Sequence, residues 1–489
     1  MSGASATIRL QARSGPASTG RRRVVLYNPR AVFYTMPLAL VAVGSHLDPA
    51  RWEVAIVDGR LESDPVGAVL SLLDGAVCLG VTVLTGGPIE DAVRISRAAK
   101  AARPDVPIIW GGWHPSMFGT ECLEEPAVDV TVQAQGEETF AELVERLAGG
   151  ESVEGCPGST CRDKSGHAVA GPPRPLANIN RFRPHNYALL PMDRYFALKG
   201  KRQLDYISSQ GCAFRCAFCA DPFVYKRRWV GLEPARVGEE IEALWRRHRF
   251  EDVNFQDETF FTYADRVARI AQEFLRRGVR ITWAATMRAD QGARLPEEVM
   301  ALCRTSGLRR VIIGVESGSQ QMMDWIRKDI KLDQVFVSAE KCLRHGVAAY
   351  FPFIVGFPNE TEESVRASLD VAKRLRAMSP DFTTPFFYFK PYPGSPITEQ
   401  AVRDGFALPC SLEEWSRFDF VGSSGPWVSR RRYLQIERFK FYQQFAWERG
   451  GVWLRPLQRI ARWRLARDFY SVPIEKAVSA WLRPTPRLS

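Results

Sequence analysis

The chain has 489 residues, 45% of them hydrophobic and 25% charged, with ten scattered cysteines and a formal net charge of +11. That length allows two or three domains, and the balance is that of a folded chain, which excludes a disordered or low-complexity protein. The cysteines are too sparse for a secreted disulfide scaffold, so a reducing, cytoplasmic compartment is expected.

Residues 1–22 are rich in Ser, Gly, Ala and Arg without an apolar centre, which predicts a flexible leader rather than a signal peptide. No run of eighteen uncharged apolar residues occurs, which argues against a spanning helix. The positive charge would suit nucleic acid or an anionic surface. It sits, however, at Arg21 to Arg23, at Arg227 and Arg228 and in the C-terminal tail rather than in one stripe, so no nucleic acid partner is expected.

From 23 to 150, β-branched runs at 24–27, 54–58, 77–84, 107–110 and 128–133 alternate with amphipathic segments, the pattern of a doubly wound parallel sheet. Such sheets bind ligands at the carboxyl ends of their strands. Small residues gather at those ends: Thr85-Gly86-Gly87, Gly111-Gly112-Trp113-His114-Pro115 and Gln135-Gly136-Glu137. Glycine there lets a ligand approach the backbone. No Gly-x-Gly-x-x-Gly follows the first strand, where Asn28-Pro29-Arg30 stands, so a nicotinamide dinucleotide is not expected. Residues 151–200, with Gly171-Pro172-Pro173-Arg174-Pro175, have the composition of a connection carrying a small hairpin.

From 201 to 425 the rhythm becomes strand then helix, with strands expected at 205–208, 252–255, 282–285, 311–314, 348–355 and 384–389. Six such units predict a partial (β/α)6 barrel of the TIM type, whose chemistry lies at the C-terminal ends of its strands. Polar residues stand there: Asp257 and Glu258 after the second strand, Arg288 after the third, Glu316 after the fourth. A helical extension over 426–489 is basic and aromatic, and its apolar stripe would cover the barrel or lie on an anionic bilayer as a peripheral contact.

Cys212, Cys216 and Cys219 follow the first barrel strand in a Cys-x3-Cys-x2-Cys run. A zinc site would want a fourth Cys or His close by, and the nearest histidines are His185 and His248. A [4Fe-4S] cluster on three thiolates would instead leave one iron open to a substrate or cofactor. With an aromatic, Phe218, before the last cysteine, the run resembles the radical S-adenosylmethionine (SAM) superfamily. The five-stranded N-terminal region, with its Gly-Gly-x-His-Pro and Gly-Glu-Glu-Thr-Phe turns, is similar to the cobalamin (B12)-binding domain preceding many of these cores. The turns at 356–361 and 391–396 resemble those of the branch that includes anaerobic magnesium-protoporphyrin monomethyl ester cyclases.

The resemblance implies that Cys212, Cys216 and Cys219 hold the cluster and that Phe218, Asp257, Glu258, Arg288 and Glu316 position SAM. It places Thr85, Gly86, Gly111, Gly112, His114, Gly136 and Glu137 near cobalamin. No histidine has Asp two residues before it, so the imidazole-ligated type of cobalamin site is not expected. The implied chemistry is a 5′-deoxyadenosyl radical that removes hydrogen from substrate carbon, followed by methylation from methylcobalamin, with an external flavodoxin or ferredoxin type of electron donor. The substrate would be a small molecule or peptide, such as a natural product, lipid or tetrapyrrole. Rivals are oxidation or cyclisation of a tetrapyrrole-type substrate and a non-catalytic cobalamin or iron-sulfur sensor; a tRNA methylthiotransferase would want a second cysteine trio in the N-terminal half.

Overall fold

The β-branched runs at the N-terminal end stand in the computed structural model as strands β1 (Arg22–Asn28), β2 (Trp52–Asp58), β3 (Ala76–Thr82), β4 (Ile108–Gly111) and β5 (Val130–Val132). The structure describes residues 21–418, 425–447, 454–470 and 475; the expected leader and part of the expected C-terminal extension lie outside them. Two units are distinguished: Met1–Trp283 with Tyr392–Phe420, and Ala284–Pro391 with Val421–Ser489.

In the first unit the five strands are parallel, and a hairpin of β6 (Ser159–Arg162) and β7 (Ala168–Ala170) continues the sheet antiparallel, in the order β2-β1-β3-β4-β5-β6-β7. Val24 to Tyr27 of β1 are fully buried. That continuous apolar run is what a parallel strand covered on both faces requires. Helices α1 (Leu38–His46), α2 (Pro65–Leu70), α3 (Pro88–Ala102), α4 (Trp113–Met117) and α5 (Glu137–Gly149) alternate with the strands. Helix α3 begins with Pro88, whose missing N–H costs nothing in the first turn, and buries Ile89, Ala92, Ile95 and Ala99 at helical spacing. One apolar cluster holds α3 with Val81 and Trp110; the other holds Leu26, Leu40, Phe140 and Leu143. Cys156 and Cys161, in the connection, are core side chains of the latter.

Helix α6 (Met192–Lys199) ties the connection to the sheet: the Tyr195 hydroxyl donates to Asp58 Oδ2 at 2.6 Å, and Arg60 pairs with the same carboxylate at 2.6 Å. Then come β8 (Gln203–Tyr206), β9 (Ser209–Gln210), α7 (Asp221–Val224), β10 (Val230–Gly231), α8 (Pro234–His248), β11 (Asp252–Phe255) and α9 (Ala264–Arg276). β8 and β11 pair in parallel, β9 and β10 antiparallel. The returning segment places Trp415, on helix Leu412–Ser416, in the α3 cluster.

β12 (Thr282–Arg288) leads into the second unit, which continues with β13 (Leu308–Gly314), β14 (Ala348–Tyr350), β15 (Phe353–Val355), β16 (Phe382–Thr383) and β17 (Phe386–Tyr388). β14 pairs in parallel with β13 and β16, and β15 with β17. The two runs expected as single strands at 348–355 and 384–389 are thus redistributed. Pro352 and Pro385 have no N–H to offer a ladder, so each marks the place where the chain leaves one pairing for the other. Helix Arg430–Ala446 buries Ile436, Phe439 and Tyr442, and Phe439 meets Phe386 edge to face at 5.3 Å. A second tail helix, Arg455–Ala466, carries Arg464, paired with Glu475 at 2.8 Å. The described part of the basic tail thus packs on its own unit, and no helix among the described residues is long and apolar enough to cross a membrane. The architecture is α/β: a doubly wound sheet, a partial barrel of six β-then-α units and a helical C-terminal part.

Burial raises the Asp58 carboxyl, but the Arg60 guanidinium and Tyr195 hydroxyl more than offset it, leaving its pKa below the ordinary value. A depressed carboxylate stabilises the fold above its unfolded pKa and loses that contribution as pH falls. Asp58→Asn is expected to cost about 2 kcal/mol in urea unfolding at pH 7 and much less at pH 3; equal losses at both would show that the charge contributes nothing.

Candidate functional site

Beyond the carboxyl ends of β3, β4 and β5 lies a cavity of about 320 Å³ formed wholly within the first unit. Gly111, Gly112, Gly136 and Glu137 line it. Gly112 has φ 100°, and a Cβ there would stand 3.0 Å from the Val83 carbonyl, so the turn closes tightly only with glycine. In mid-strand, Gly80 lets side chains pack directly on the backbone: a Cβ there would stand 2.7 Å from Leu26 and 3.0 Å from Phe140. With Leu38, Val43 and Phe140 these residues form an apolar slot beside α1 and α5.

Thr85, Gly86 and His114 are not in that lining. His114 Nδ1 lies 3.2 Å from Thr85 Oγ1, and its ring packs on Phe118 and Trp415 at 5.1 and 5.7 Å. Burial lowers its pKa to about 4, so the imidazole is neutral at physiological pH.

Gln210, Tyr225, Gln256 and Glu258 line the same cavity from the segment that carries the cysteines. Gln210 donates to Glu137 Oε1 at 3.2 Å, and Gln135 donates to Gln210 Oε1 at 2.8 Å. This seam joins the turn after β5 to the residue before Gly211-Cys212. Burial raises the pKa of Glu137. Sequence reasoning missed Gln210 and Tyr225, while Gln135 stood in the turn it singled out; the adjacency of Gln210 to the cysteine run was the one signal available.

The cysteine loop runs from β9 to α7. Cys212, Cys216 and Cys219 are half-buried, whereas Cys78, Cys122, Cys156, Cys161, Cys303 and Cys342 are buried. The loop is braced by a Cys219 N–H to Cys216 carbonyl bond of 3.2 Å and by the Ala217 carbonyl accepting from Ile397 N–H at 3.0 Å. Burial first, then Asp221 and the other two thiols, push the Cys219 thiol well above its ordinary value. Bound metal reverses that tendency by deprotonating its thiol ligands. Among the described residues no three His, Cys, Asp or Glu side chains already stand at ligand distance. The trio nevertheless offers soft donors of the kind that iron-sulfur clusters take, and Phe218 lies half-buried between the last two.

The two acids after β11 have separate surroundings. Asp257 is buried and accepts from Ser208 N–H at 2.8 Å and from the Ser208 and Ser209 hydroxyls at 2.6 Å each. Buried Arg266 donates to the Ser208 carbonyl at 2.7 Å. Glu258 instead lines the cavity, and its Oε2 is enclosed without a hydrogen-bond partner among the described residues. Burial, then the Asp221 carboxylate, push its carboxyl up to about 8.

In the second unit Arg288 and Glu316 are brought together by a residue that sequence reasoning missed. Arg288 donates to Asp290 Oδ1 at 2.9 Å and to the Lys328 carbonyl at 2.6 Å, while Lys328 Nζ pairs with Glu316 Oε1 at 2.7 Å. Glu316, Arg327 and Asp329 have φ of 65°, 51° and 54°. Three non-glycine residues in the left-handed region represent local strain around a buried ion pair, a feature that concentrates at functional sites.

Between pH 4.5 and about 8 the folded chain retains a proton on Glu258 that the unfolded chain releases, so this group lowers stability as pH rises. Glu258→Gln is expected to unfold at higher urea than the parent at pH 8, with the gap closing toward pH 4; a gap independent of pH would exclude the raised pKa.

Family models match in two places: B12 binding domain over residues 25–144 and Radical SAM superfamily over 206–372. An uncharacterized methyltransferase of Pyrococcus horikoshii is 30% identical over 393 residues, covering 79% of this chain and 82% of its own. The anaerobic magnesium-protoporphyrin IX monomethyl ester cyclase of Rubrivivax gelatinosus is 26% identical, covering 71% and 63%. The structure of OxsB, a cobalamin-dependent S-adenosylmethionine radical enzyme with aqua-cobalamin and SAM bound, superposes with a TM-score of 0.65 at 20% identity over 79% of this chain. The chain spans 56% of OxsB, and this likeness is one of fold.

Proposed function

Because the chain belongs to the family of radical SAM enzymes with an N-terminal B12-binding domain, we propose that it transfers a methyl group from SAM to an unactivated carbon of a natural product, lipid or tetrapyrrole. Its cofactors are a [4Fe-4S] cluster, SAM and cobalamin. When bound, they supply a one-electron cleavage of SAM and a cobalt carrier for the methyl group. The observation that carries this reading is the shared cavity, lined by the glycine turns of the doubly wound sheet and by Gln210, Tyr225 and Glu258 around the cysteine loop.

In this reading residues 23–150 are the cobalamin domain and 201–425 the catalytic core, joined by the connection over 151–200. Cys212, Cys216 and Cys219 ligate the cluster. Gly111, Gly112, Gly136 and Glu137 contact cobalamin, with Thr85, Gly86 and His114 supporting those turns from the adjoining apolar cluster. Glu258 offers SAM an unpartnered carboxyl oxygen, and Asp257 and Phe218 shape the loop beside it; for Arg288 and Glu316 the SAM-positioning role is the one that the family resemblance implies. An external one-electron donor reduces the cluster, in the cytoplasm.

The anaerobic holoenzyme, given reductant and SAM with a deuterated methyl group, is expected to form 5′-deoxyadenosine and to place that methyl on its substrate; Cys216→Ala is expected to form neither. Loss of hydrogen from the product without label would favour the oxidation or cyclisation suggested by the cyclase relative. Undiminished 5′-deoxyadenosine from Cys216→Ala would overturn the ligand assignment.

A further inference from the structure

Seven residues after the last cysteine comes Lys226-Arg227-Arg228, three exposed cations in a row. None has an acidic partner among the described residues, whereas Arg23, Arg51, Arg103, Arg174 and Arg194 of the same unit all form ion pairs. Lys226 and Arg227 both hold left-handed backbone, with φ of 51° and 56°. Two adjacent non-glycine residues in that region carry strain, and an exposed turn is kept strained only when the surrounding structure imposes it.

The imposing contact is with the cysteine loop. A Cβ on Gly211 would lie 2.2 Å from the Arg228 carbonyl oxygen and 3.1 Å from Tyr225 Cβ, so the basic turn rests on the residue before Cys212. Arg227 Nε reaches the Ala213 carbonyl at 3.4 Å. Arg215, on the loop itself, is exposed as well. Phe223 is 39% exposed in the middle of this group, and Lys226 Nζ stands 4.6 Å from its ring centroid. An exposed aromatic rimmed by Lys226, Arg227 and Arg228, none with an acidic partner among the described residues, has the make-up of an interface centre.

We propose that Phe223, Lys226, Arg227 and Arg228 form the docking surface for a small acidic electron-carrier protein that reduces the cluster; the inference rests on the function proposed above. These cations steer an acidic partner by long-range attraction, and their contact with Gly211 to Ala213 delivers it to the thiolate loop. One electron leaves the reduced carrier and enters the cluster, so the carrier is oxidised and the cluster reduced by one electron each. Weak, transient encounters suit electron carriers, which agrees with a small charged patch.

The test uses the full-length holoenzyme in stopped flow with two reductants: the hydroquinone of an acidic flavodoxin, and reduced methyl viologen, a small cation with no need of this surface. Lys226→Asp with Arg227→Asp tolerates left-handed backbone and reverses the charge; Arg228→Glu completes the reversal. The triple variant is expected to show cluster reduction by flavodoxin slowed roughly tenfold or more at low salt, with reduction by methyl viologen unchanged and wild-type iron content. The parental rate with flavodoxin is expected to fall as salt rises, and Lys226→Arg to leave it intact. Equal slowing with both reductants, or a parental flavodoxin rate indifferent to salt, would overturn the docking surface. A parental chain that takes up no cluster would overturn the assignment of the cysteines, and the docking surface with it.

Discussion

The cysteine loop hangs from a buried carboxylate. Asp257 gathers one backbone N–H and two hydroxyls from Ser208 and Ser209, the residues that open the loop strand, and buried Arg266 closes the same group through the Ser208 carbonyl. A buried charge is tolerated only when its hydrogen-bonding capacity is met. This one is met by the backbone that must be held still. Everything downstream inherits its position from that point: Gln210 reaches Glu137, Gly211 accepts the basic turn, and the three thiols follow within eight residues.

Much of this was legible because it depends on local spacing. The cysteine run, the five β-branched strands and the glycine turns after them follow from short-range pattern, and each of those strands stands where expected to within a few residues. The divided strands at Pro352 and Pro385 were legible in principle, since proline cannot donate to a ladder. The missed residues share a different cause. Gln210 meets Glu137 across 73 positions and Gln135 across 75, and no local rule pairs side chains at such separations. Lys328 meets Glu316 from a turn in which Arg327 and Asp329 on either side adopt left-handed backbone, which no local sequence rule foretells. Adjacent acids also read alike in sequence, yet Asp257 is saturated and Glu258 retains an unpartnered oxygen in the cavity.

The environment divides labour among chemically similar groups. Cys122 lies in one apolar cluster of the first unit and Cys78, Cys156 and Cys161 in the other, Cys303 and Cys342 are buried in the second unit, and the trio stands together, half-buried, on one loop. His114 is held neutral among aromatic rings, away from the cavity lining, and its neighbours in that cluster include Trp415 from the returning segment. The turns that line the cavity are thereby braced from behind by apolar packing and in front by the polar seam.

The function proposed above requires one arrangement, a cluster held by three thiolates with one iron left for SAM. Mössbauer spectra of the chain reconstituted anaerobically with 57Fe, recorded with and without SAM, address it directly. The account predicts that SAM shifts the signal of one iron site and leaves the other three unmoved. A spectrum that SAM does not alter would contradict it.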